Sequence, residues 1–566
     1  MLGPLRAIGS VLTGAAVVWL VWAAALGAWA RLVAPQSWGE HVWYVVGVHR
    51  WGEALPNRMA VVVAVIAVVL LAAMAYGSWR GRTDRDLAAT PAGAAGVAAL
   101  LVIAYLSQGI PAFYRMAMDN APVTTALPLG MASWWLCLAG AAATFLAARS
   151  FPRLQRAALG LPAIGAAIAV VVAVVVTVVA VAAGDDGRHL DATTASATEV
   201  PAMPAALGRR TFTVPVPDAF TGERDEPTHE IAAAGAGFVV YGRHRITAYG
   251  TDGLQRWHFE RTGPGDVLVN GMRVYDDGAT VVAILGKALV GLDAVTGEQL
   301  WAATDDRMLY ALSEEPSFNL HAPFVVYRDG RGWVRFDTRT GKPMWAIPAP
   351  GPECDVSARA VDTRSRLVSV MRCPAERGTA IRVIAVDPDS GDIVWDKDVF
   401  NGQGDADAIA TPANAVGIFV QFAGAGAPDG LTYVNVVDKT TTPIPGQGTV
   451  EPSPGPSDDF VYSGRDGGRH LVLFGPDGRQ RCAGARGVLG ERARPLGQGA
   501  GLAYLPFGDT VVVADDGSLR IFDADTCTEN AAEPVESVQG FVPVPGAVLV
   551  LRRDGPTLQI DGYTAG

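Results

Sequence analysis

Three carboxylates and three indoles recur at one spacing in this chain and are its clearest candidates for chemistry. The phrase Asp-x-x-(Thr or Ser)-Gly-x-x-x-Trp occupies residues 293–301, 337–345 and 387–395. Carboxylates beside flat aromatic rings can hold a metal ion or an aromatic cofactor. The residues concerned are Asp293, Gly297, Trp301, Asp337, Gly341, Trp345, Asp387, Gly391 and Trp395.

The same phrase also describes a hairpin. Asp at the start of a turn accepts hydrogen bonds from backbone N–H groups, and Gly takes a position that needs a positive φ. A Trp on the following strand buries a large ring. We favour this structural role, because apolar, strand-like residues precede each copy.

Looser copies extend the repeat along most of the chain. One ends at Trp257, and weaker ones lie near residues 435, 475, 523 and 561. Their turns recur every 46 residues or so on average (about the length of a four-stranded propeller blade). Because one blade cannot bury both its faces, blades stack in a ring, and each Trp is expected to fill the gap between two blades. Residues 211–566 are predicted to form an all-β propeller of eight blades, or alternatively seven, with residues 211–216 as the closing strand.

The phrase resembles the repeat of the PQQ-type (quinoprotein) β-propellers. The resemblance is strong in the units ending at Trp257, Trp301, Trp345 and Trp395, and weaker afterwards, where Cys482 replaces a Trp. That family contains quinoprotein dehydrogenases and non-catalytic propellers of outer-membrane assembly. The resemblance implies an eight-bladed fold, which does not by itself determine function.

The dehydrogenase alternative would need further residues. As the resemblance implies, such enzymes carry a pair of adjacent cysteines and a set of Glu, Asn and Asp ligands for calcium, and neither is recognisable here. We therefore predict no cofactor, no catalytic residue and no metal ligand, with PQQ plus calcium as the alternative. Acidic pieces such as Asp405, Asp407, Asp458 and Asp459 are interpreted as solvated turns.

The first third of the chain differs in composition from the rest. Residues 1–183 contain 11 Arg, no Lys and 5 acidic residues, and since the whole chain carries −11, the remainder carries −17. Apolar stretches near residues 8–30, 59–79, 92–110, 127–148 and 159–183 each approach the roughly 20 residues that cross a bilayer. They predict an all-α bundle of about five transmembrane helices. The first is expected to stay uncleaved, although it also resembles a signal peptide.

The arginines give this bundle an orientation. Seven lie in segments on the side of the N-terminus, including Arg6 and the clusters around residues 80–85 and 149–156, and four lie in the opposite loops. The positive-inside rule places the N-terminus in the cytoplasm and, with five spans, the propeller outside. Residues 184–210 are predicted to be a linker, or alternatively a partly ordered segment packed on the propeller.

The loop over residues 31–58 carries side chains that could act at the membrane surface. Trp38, Trp43, Tyr44 and Trp51 are expected to form an aromatic belt, with a docking surface as the alternative. His41 and His49 are weak ligand candidates. Glu40 and Glu53 could imitate the acidic loop residue of lipid-linked sugar transferases.

Cysteines separate the two regions further. Cys137 lies in an apolar stretch and is interpreted as a small buried residue. The other four lie in the part predicted to be outside, where disulfides form. Cys354 and Cys373 fall in one unit and are expected to pair, which leaves Cys482 and Cys527 to join two weaker blades. Four cysteines allow three pairings, so the connectivity stays open.

Three classes of function are compatible with this organisation. The first is a non-enzymatic binding or scaffold protein, the second a quinoprotein dehydrogenase, and the third transport or lipid-linked glycosyl transfer by the bundle. Transport is disfavoured because the spans lack ionisable residues, and the acidic propeller excludes nucleic acid as a partner. We predict a multi-pass plasma-membrane scaffold of the bacterial cell envelope, whose partners are the membrane and other envelope or membrane proteins bound through the propeller.

Overall fold

The structure, a computed structural model, divides into two compact units. One comprises residues 1–190 with 262–268, and the other residues 191–261 with 269–566. The residues described are 2–33, 55–80, 89–107, 125–148, 160–220, 229–262, 269, 271–285, 288–303, 305–314, 324–329, 331–356, 361–376, 378–403, 405–424, 430–444, 448–451, 457–464, 470–485, 504–515 and 517–564. The loop with Trp38, Trp43, Tyr44, Trp51, His41, His49, Glu40 and Glu53 lies outside them, as do Arg82, Arg85, Arg149, Arg153 and Arg156.

The first unit is helical. Its described helices are α1 (Leu2–Leu32), α2 (Leu55–Arg80), α3 (Ala89–Leu106), α4 (Ala126–Ala147) and α5 (Gly160–Ala183). Four of them contain apolar segments long enough to cross a membrane, judged by length and composition: Ala7–Leu32, Met59–Trp79, Ala126–Ala147 and Gly160–Ala183. The span predicted near residues 92–110 corresponds to α3, whose apolar part, Pro91–Leu106, is shorter. A helix of that length reaches only about 24 Å, less than the hydrocarbon thickness.

Small residues set the packing of this bundle. A Cβ added at Gly14 in α1 would lie 1.9 Å from the Pro162 carbonyl oxygen, and one at Gly165 in α5 would lie 1.9 Å from that of Val11. The two backbones therefore touch, as is common for helices that pack through glycine in membranes. Leu20 of α1 is fully buried, so α1 contributes to the core of the bundle.

The second unit contains eight antiparallel sheets, the blades of a propeller. Blades 1 to 4 are β3–β6 (Glu230–Ala234, Gly237–Gly242, Arg245–Gly250, Gln255–Arg261), β7–β10 (Gly271–Tyr275, Thr280–Leu285, Ala288–Asp293, Gln299–Ala303), β11–β13 (Val325–Arg328, Gly332–Asp337, Lys342–Pro348) and β14–β17 (Asp355–Val356, Leu367–Ala375, Gly378–Val386, Ile393–Gln403). Blades 5 to 7 are β18–β21 (Ala406–Pro412, Gly417–Gly424, Gly430–Asn435, Thr440–Ile444), β22–β25 (Gly448–Glu451, Phe460–Gly464, His470–Phe474, Gln480–Ala483) and β26–β29 (Tyr504–Pro506, Thr510–Asp515, Ser518–Asp523, Glu529–Pro534).

Blade 8 joins the two ends of the propeller sequence. It contains β30 (Val538–Val544), β31 (Ala547–Asp554) and β32 (Thr557–Thr564), and its fourth strand is β2 (Arg209–Val216), which pairs antiparallel with β32. The predictions of eight blades and of closure by residues 211–216 are therefore confirmed.

Two further elements accompany the blades. Strand β1 (Leu190–Thr193) adds to the edge of β6, so that blade 1 has five strands. Helix α6 (Asp306–Glu314) precedes the three described strands of blade 3. It buries Met308 and Leu312 against the apolar cluster between blades 2 and 3, as its spacing of apolar residues requires.

We label the strands of each blade a to d in chain order, so that β11–β13 of blade 3 are b to d; in blade 8, β30–β32 are a to c and β2 is d. The turns a–b and c–d lie on one face of the ring, because the N–H of Ala294 in a c–d turn donates to Ala279 in the neighbouring a–b turn. The b–c turns and the blade-to-blade connections lie on the opposite face, where the N–H of Phe220 donates to Pro556. These are called the cd face and the da face.

Candidate functional site

Each copy of the repeated phrase forms a c–d turn. In blade 2 the Asp293 carboxylate accepts hydrogen bonds from the N–H groups of Val295 and Thr296, both at 3.0 Å. Gly297 has φ of 75°, and its N–H donates to the Asp293 carbonyl at 2.8 Å. In blade 4 the N–H of Ser390 bonds to the Asp387 carboxylate and thereby holds the pKa of Asp387 below its usual value. The carboxylates of the phrase thus stabilise their own turns.

The tryptophans of the phrase join neighbouring blades. Trp257 on strand d of blade 1 donates its indole N–H to the Ala294 carbonyl in the c–d turn of blade 2, at 2.9 Å. Its ring covers Gly297, where an added Cβ would lie 2.7 Å from Trp257 Cγ. Gly297 is therefore needed twice, because the turn requires its positive φ and the Trp257 ring occupies the space of a side chain.

The next two junctions repeat this contact. Trp301 donates to the Thr338 carbonyl at 2.8 Å, and Trp345 donates to the Pro388 carbonyl at 2.9 Å. Their rings lie against Gly341 and Gly391, both of which have positive φ. We call this arrangement, a ring of one blade on the c–d turn of the next, the docking contact.

The contact changes from blade 4 onwards. Trp395 is only half-buried, and it packs against the cluster of blades 4 and 5 that includes Val436. In the c–d turn of blade 5, Asn435 takes the position of the aspartate and Lys439, with φ of 60°, that of the glycine. The Asn435 side-chain oxygen accepts from the N–H groups of Val437 and Asp438, so the turn is kept although its residue types differ.

Between blades 5 and 6 a tyrosine replaces the tryptophan, and it does so from a different strand. Tyr433 lies on strand c, opposite Thr442 of strand d. Its hydroxyl donates to the Pro476 carbonyl at 2.9 Å, and its ring lies against Gly478, where a Cβ would be 2.4 Å from Tyr433 Cδ1. Burial raises the pKa of this phenol. The sequence phrase did not identify Tyr433, because the ring stands outside the Trp position.

Between blades 6 and 7 a disulfide takes the same two positions. Cys482 stands where the phrase has Trp, Cys527 has the positive φ (53°) of the Gly position, and the two are bonded. The preceding residue, Arg481, bonds to Asp459 and Asp525, each at 2.6 Å. This junction therefore carries a covalent bond and an ion-pair network where the first three junctions carry a tryptophan ring.

The second disulfide lies within one blade. Cys354 and Cys373 are bonded across 19 residues of blade 4, so both predicted pairings are confirmed. Cys137 is a buried free thiol in α4.

Ring closure has its own contact. Phe212 of β2 lies against Gly253 of blade 1, where a Cβ would be 2.6 Å from the phenyl ring. On the neighbouring strand, Asp561 is fully buried; it accepts from Thr213 Oγ1 at 2.6 Å and from Arg552. Burial acts to raise the pKa of Asp561, but these bonds outweigh it and the pKa lies below the usual value.

Polar groups also gather on the da face beside blades 1 and 2. Glu230 lies 3.6 Å from Arg273, and burial raises the pKa of Glu230. His244 Nδ1 lies 2.8 Å from the Val269 carbonyl oxygen. Within the described residues no group of three or more His, Cys, Asp or Glu side chains is placed to hold a metal ion. The absence of a cofactor stays a prediction.

Eight blades, several of them joined by an aromatic ring that lies on a glycine turn, define a β-propeller with a PQQ-like repeat. Consistent with this, residues 242–417 match the family described as outer membrane protein assembly factor BamB. No curated protein matches the chain.

Several solved structures are similar to this chain at low sequence identity. BamB from Moraxella catarrhalis has 15% identity and a TM-score of 0.36, over 63% of this chain and 98% of that one. A eukaryotic initiation factor has 9% identity and a TM-score of 0.38, over 67% and 97%. Dihydro-heme d1 dehydrogenase NirN, in complex with DHE, has 14% identity and a TM-score of 0.34, over 62% and 79%. These likenesses carry no argument about activity.

Proposed function

We propose that this chain is a membrane-anchored β-propeller that binds other envelope or membrane proteins on the outer side of the bacterial plasma membrane and catalyses no reaction. The observation that carries the proposal is the use of the repeated side chains. The Asp293 carboxylate accepts a hydrogen bond within its own turn. The indole N–H groups of Trp257, Trp301 and Trp345 donate to carbonyl groups of the next blade. The residues that first suggested a cofactor are thus engaged in building the ring.

Two observations support a location outside the cell. The propeller contains two disulfides, which persist in oxidising compartments. Three arginines (Arg149, Arg153, Arg156) precede α5, and the acidic Asp185 and Asp186 follow it. The positive-inside rule then directs the end of α5 outward whatever the number of earlier spans.

The location is tested by thiol labelling in intact cells or spheroplasts. A cysteine introduced at the exposed Lys397 on blade 4 should react with a membrane-impermeant maleimide before lysis, and one at Arg6 only after lysis. Labelling of position 397 only after lysis would contradict the orientation.

Binding is tested by photocrosslinking in native membranes. Photoreactive residues replace Arg331 and Glu376 on the da face, and Asp389, whose side chain is 85% exposed, and Lys439 on the cd face. We expect one recurrent adduct from one face and none from the other. Equal, diffuse adducts from all four positions would contradict a specific binding surface.

The enzymatic alternative is tested on the same full-length protein. Titration with PQQ and Ca²⁺ should leave its absorbance unchanged, and alcohols should not reduce an added dye. Saturable binding of PQQ with calcium-dependent dye reduction would overturn the non-enzymatic proposal.

A further inference from the structure

Blade 8 differs from the other blades at its c–d turn. Its strands c and d, β32 and β2, come from opposite ends of the propeller, so no turn joins them. The preceding strand d, β29 (Glu529–Pro534), is exposed along its whole length. The junction between blades 7 and 8 therefore lacks the turn on which a docking contact is built elsewhere in the ring.

The C-terminal part of residues 191–207, a segment within the predicted linker, lies at this place. Leu207 packs against the apolar cluster of blades 7 and 8, which includes Phe541 and Val550. Pro204 is buried. The Ala202 carbonyl accepts a hydrogen bond from the N–H of Gly546, in the a–b turn of blade 8, at 2.9 Å.

The other end of the segment is held by blades 1 and 2. Strand β1 extends the edge of β6, and His258 of β6 lies 3.0 Å from Thr193 Oγ1 and 3.2 Å from Asp191 Oδ1. Arg256 donates to the Ser196 carbonyl at 2.8 Å. The N–H of Ala195 donates to the Thr296 carbonyl in the c–d turn of blade 2.

These contacts follow one another along the cd face, from blades 1 and 2 back to blade 8, before the chain enters β2. We propose that residues 191–207 are a clasp, which supplies at blade 8 the stabilisation that a c–d turn supplies elsewhere and helps to keep the ring closed. The clasp makes ring closure depend on contacts to three blades in addition to the β2–β32 ladder.

The proposal is tested on the full chain in detergent micelles by amide hydrogen exchange and thermal unfolding. In the clasp variant, residues 195–206 are replaced by a Gly/Ser sequence of equal length, which keeps β1 and β2. In the control, residues 185–189, upstream of the clasp, are replaced in the same way. We expect the clasp variant to lose protection in β2 and β32, to keep it in β16 of blade 4, and to melt at a lower temperature, whereas the control keeps all three properties.

Two results would overturn the clasp. Unchanged protection and melting in the clasp variant would mean that the segment only rests on the ring. Equal loss of protection in β2 and β16 would mean that the segment stabilises the whole propeller and not ring closure in particular. If the clasp variant does not fold, the glycine pair described next decides, and no difference between its two variants would give the same conclusion.

The milder pair uses two glycines with nearly the same φ. Gly546 (φ 78°) and Gly508 (φ 79°) both lie in a–b turns. A Cβ at Gly546 would lie 3.1 Å from Pro201 Cβ and 2.6 Å from a Thr251 methyl, whereas one at Gly508 meets nothing within 4 Å. Gly546→Ala should therefore increase exchange in β2 more than Gly508→Ala does, and should still do so in a Thr251→Ser background, which removes the methyl group and leaves the contact with Pro201. Equal effects of the two would contradict the proposal.

Discussion

The hydroxyl of Tyr433 donates to the carbonyl of Pro476 in the next blade, as the indole of Trp257 donates to Ala294, although the two rings come from different strands. Tyr433 stands on strand c opposite Thr442, whereas Trp257 stands on strand d opposite Ala248. A large ring on one strand thus faces a small residue on the other. At these two junctions the ring on the turn is kept, and either strand c or strand d supplies it.

This exchange can be tested by moving the ring. Tyr433→Ala should lower the free energy of unfolding by about 3–5 kcal/mol, because it removes a buried aromatic side chain. Thr442→Trp alone should destabilise by overpacking, since Tyr433 already fills the space. The double variant, measured by chemical denaturation, should be more stable than the sum of the two effects predicts by at least about 1 kcal/mol. Additive effects would mean that the two positions do not substitute for each other.

The disulfide of blades 6 and 7 should be replaceable by a docking contact. Cys482→Ala with Cys527→Ala should lower the free energy of unfolding by about 2–4 kcal/mol. Cys482→Trp with Cys527→Gly restores the residue types found at the earlier junctions and should recover part of that loss. The control, Cys482→Ala with Cys527→Gly, lacks the ring; recovery equal to that of the Trp variant would contradict the equivalence.

The glycine of the c–d turn should tolerate no side chain, for two separable reasons. Gly297→Ala adds backbone strain of about 1–2 kcal/mol at positive φ and a collision with the Trp257 ring worth about 1–3 kcal/mol. Gly517→Ala has a similar φ of 85° but meets nothing within 4 Å. The difference between the two thermal unfolding midpoints isolates the collision, and equal midpoints would contradict the docking contact at Gly297.

The indole N–H of the docking contact should contribute beyond the ring. Trp301→Phe keeps most of the buried area but leaves the Thr338 carbonyl without its donor, which should cost about 1–3 kcal/mol. Trp395→Phe is the matched control, because the Trp395 ring is only half-buried. Urea unfolding should show a clearly smaller effect at Trp395, and the reverse order would be inconsistent with the hydrogen bond at 2.8 Å.

Two buried carboxyl groups should give stability opposite dependences on pH. The pKa of Asp561 is lowered in the folded protein. Its contribution to stability is therefore present above the pKa of the unfolded chain, about 3.9, and is lost as the pH falls through the folded pKa. Burial raises the pKa of Asp459, against the opposing effect of Arg481, so its contribution is lost as pH rises through the folded pKa.

The free energy of unfolding is measured for the wild type, Asp561→Asn and Asp459→Asn at pH values from roughly 3 to 7, because carboxyl groups titrate within this range. The stabilising difference between wild type and Asp561→Asn should shrink on acidification, and that between wild type and Asp459→Asn should shrink as pH rises. Parallel curves for the two variants would contradict these pKa directions.

The blade turns and the closing strand were predictable from the sequence, because each rests on local chemistry. Asp293 and Gly297 encode a turn within five residues, and the pattern of residues 211–216 encodes a strand. Tyr433 was not predictable, since its role depends on a neighbour in the next blade, about 45 residues away along the chain. The signal that could have found it is a large residue on strand c where other blades have Gly291 or Ala248.

Composition alone did not determine the structure of the segment before the propeller. Residues 184–210 lack the periodicity of a strand or helix, so the sequence was compatible with a linker and with a partly ordered segment packed on the propeller. The structure places residues 191–207 against blades of the propeller, through backbone groups such as the Ala195 N–H and the Ala202 carbonyl. Such bonds use the main chain and leave no characteristic residue types. Five helices were predicted before the propeller and five are described there; the apolar part of α3, Pro91–Leu106, is shorter than the span predicted near residues 92–110.

The pairing of β2 with β32 has a consequence for the order of synthesis. Thr213 and Asp561 are bonded partners separated by 348 residues, so the ribosome completes one strand long before it makes the other. At roughly 5–20 residues per second, that interval is on the order of 20–70 seconds. During this time β2 presents an unpaired edge, which invites pairing with the wrong strand. Contacts of residues 191–207 with blades 1 and 2 can form early in this interval. They would hold β2 beside the first blades until the ribosome has made β32 of blade 8.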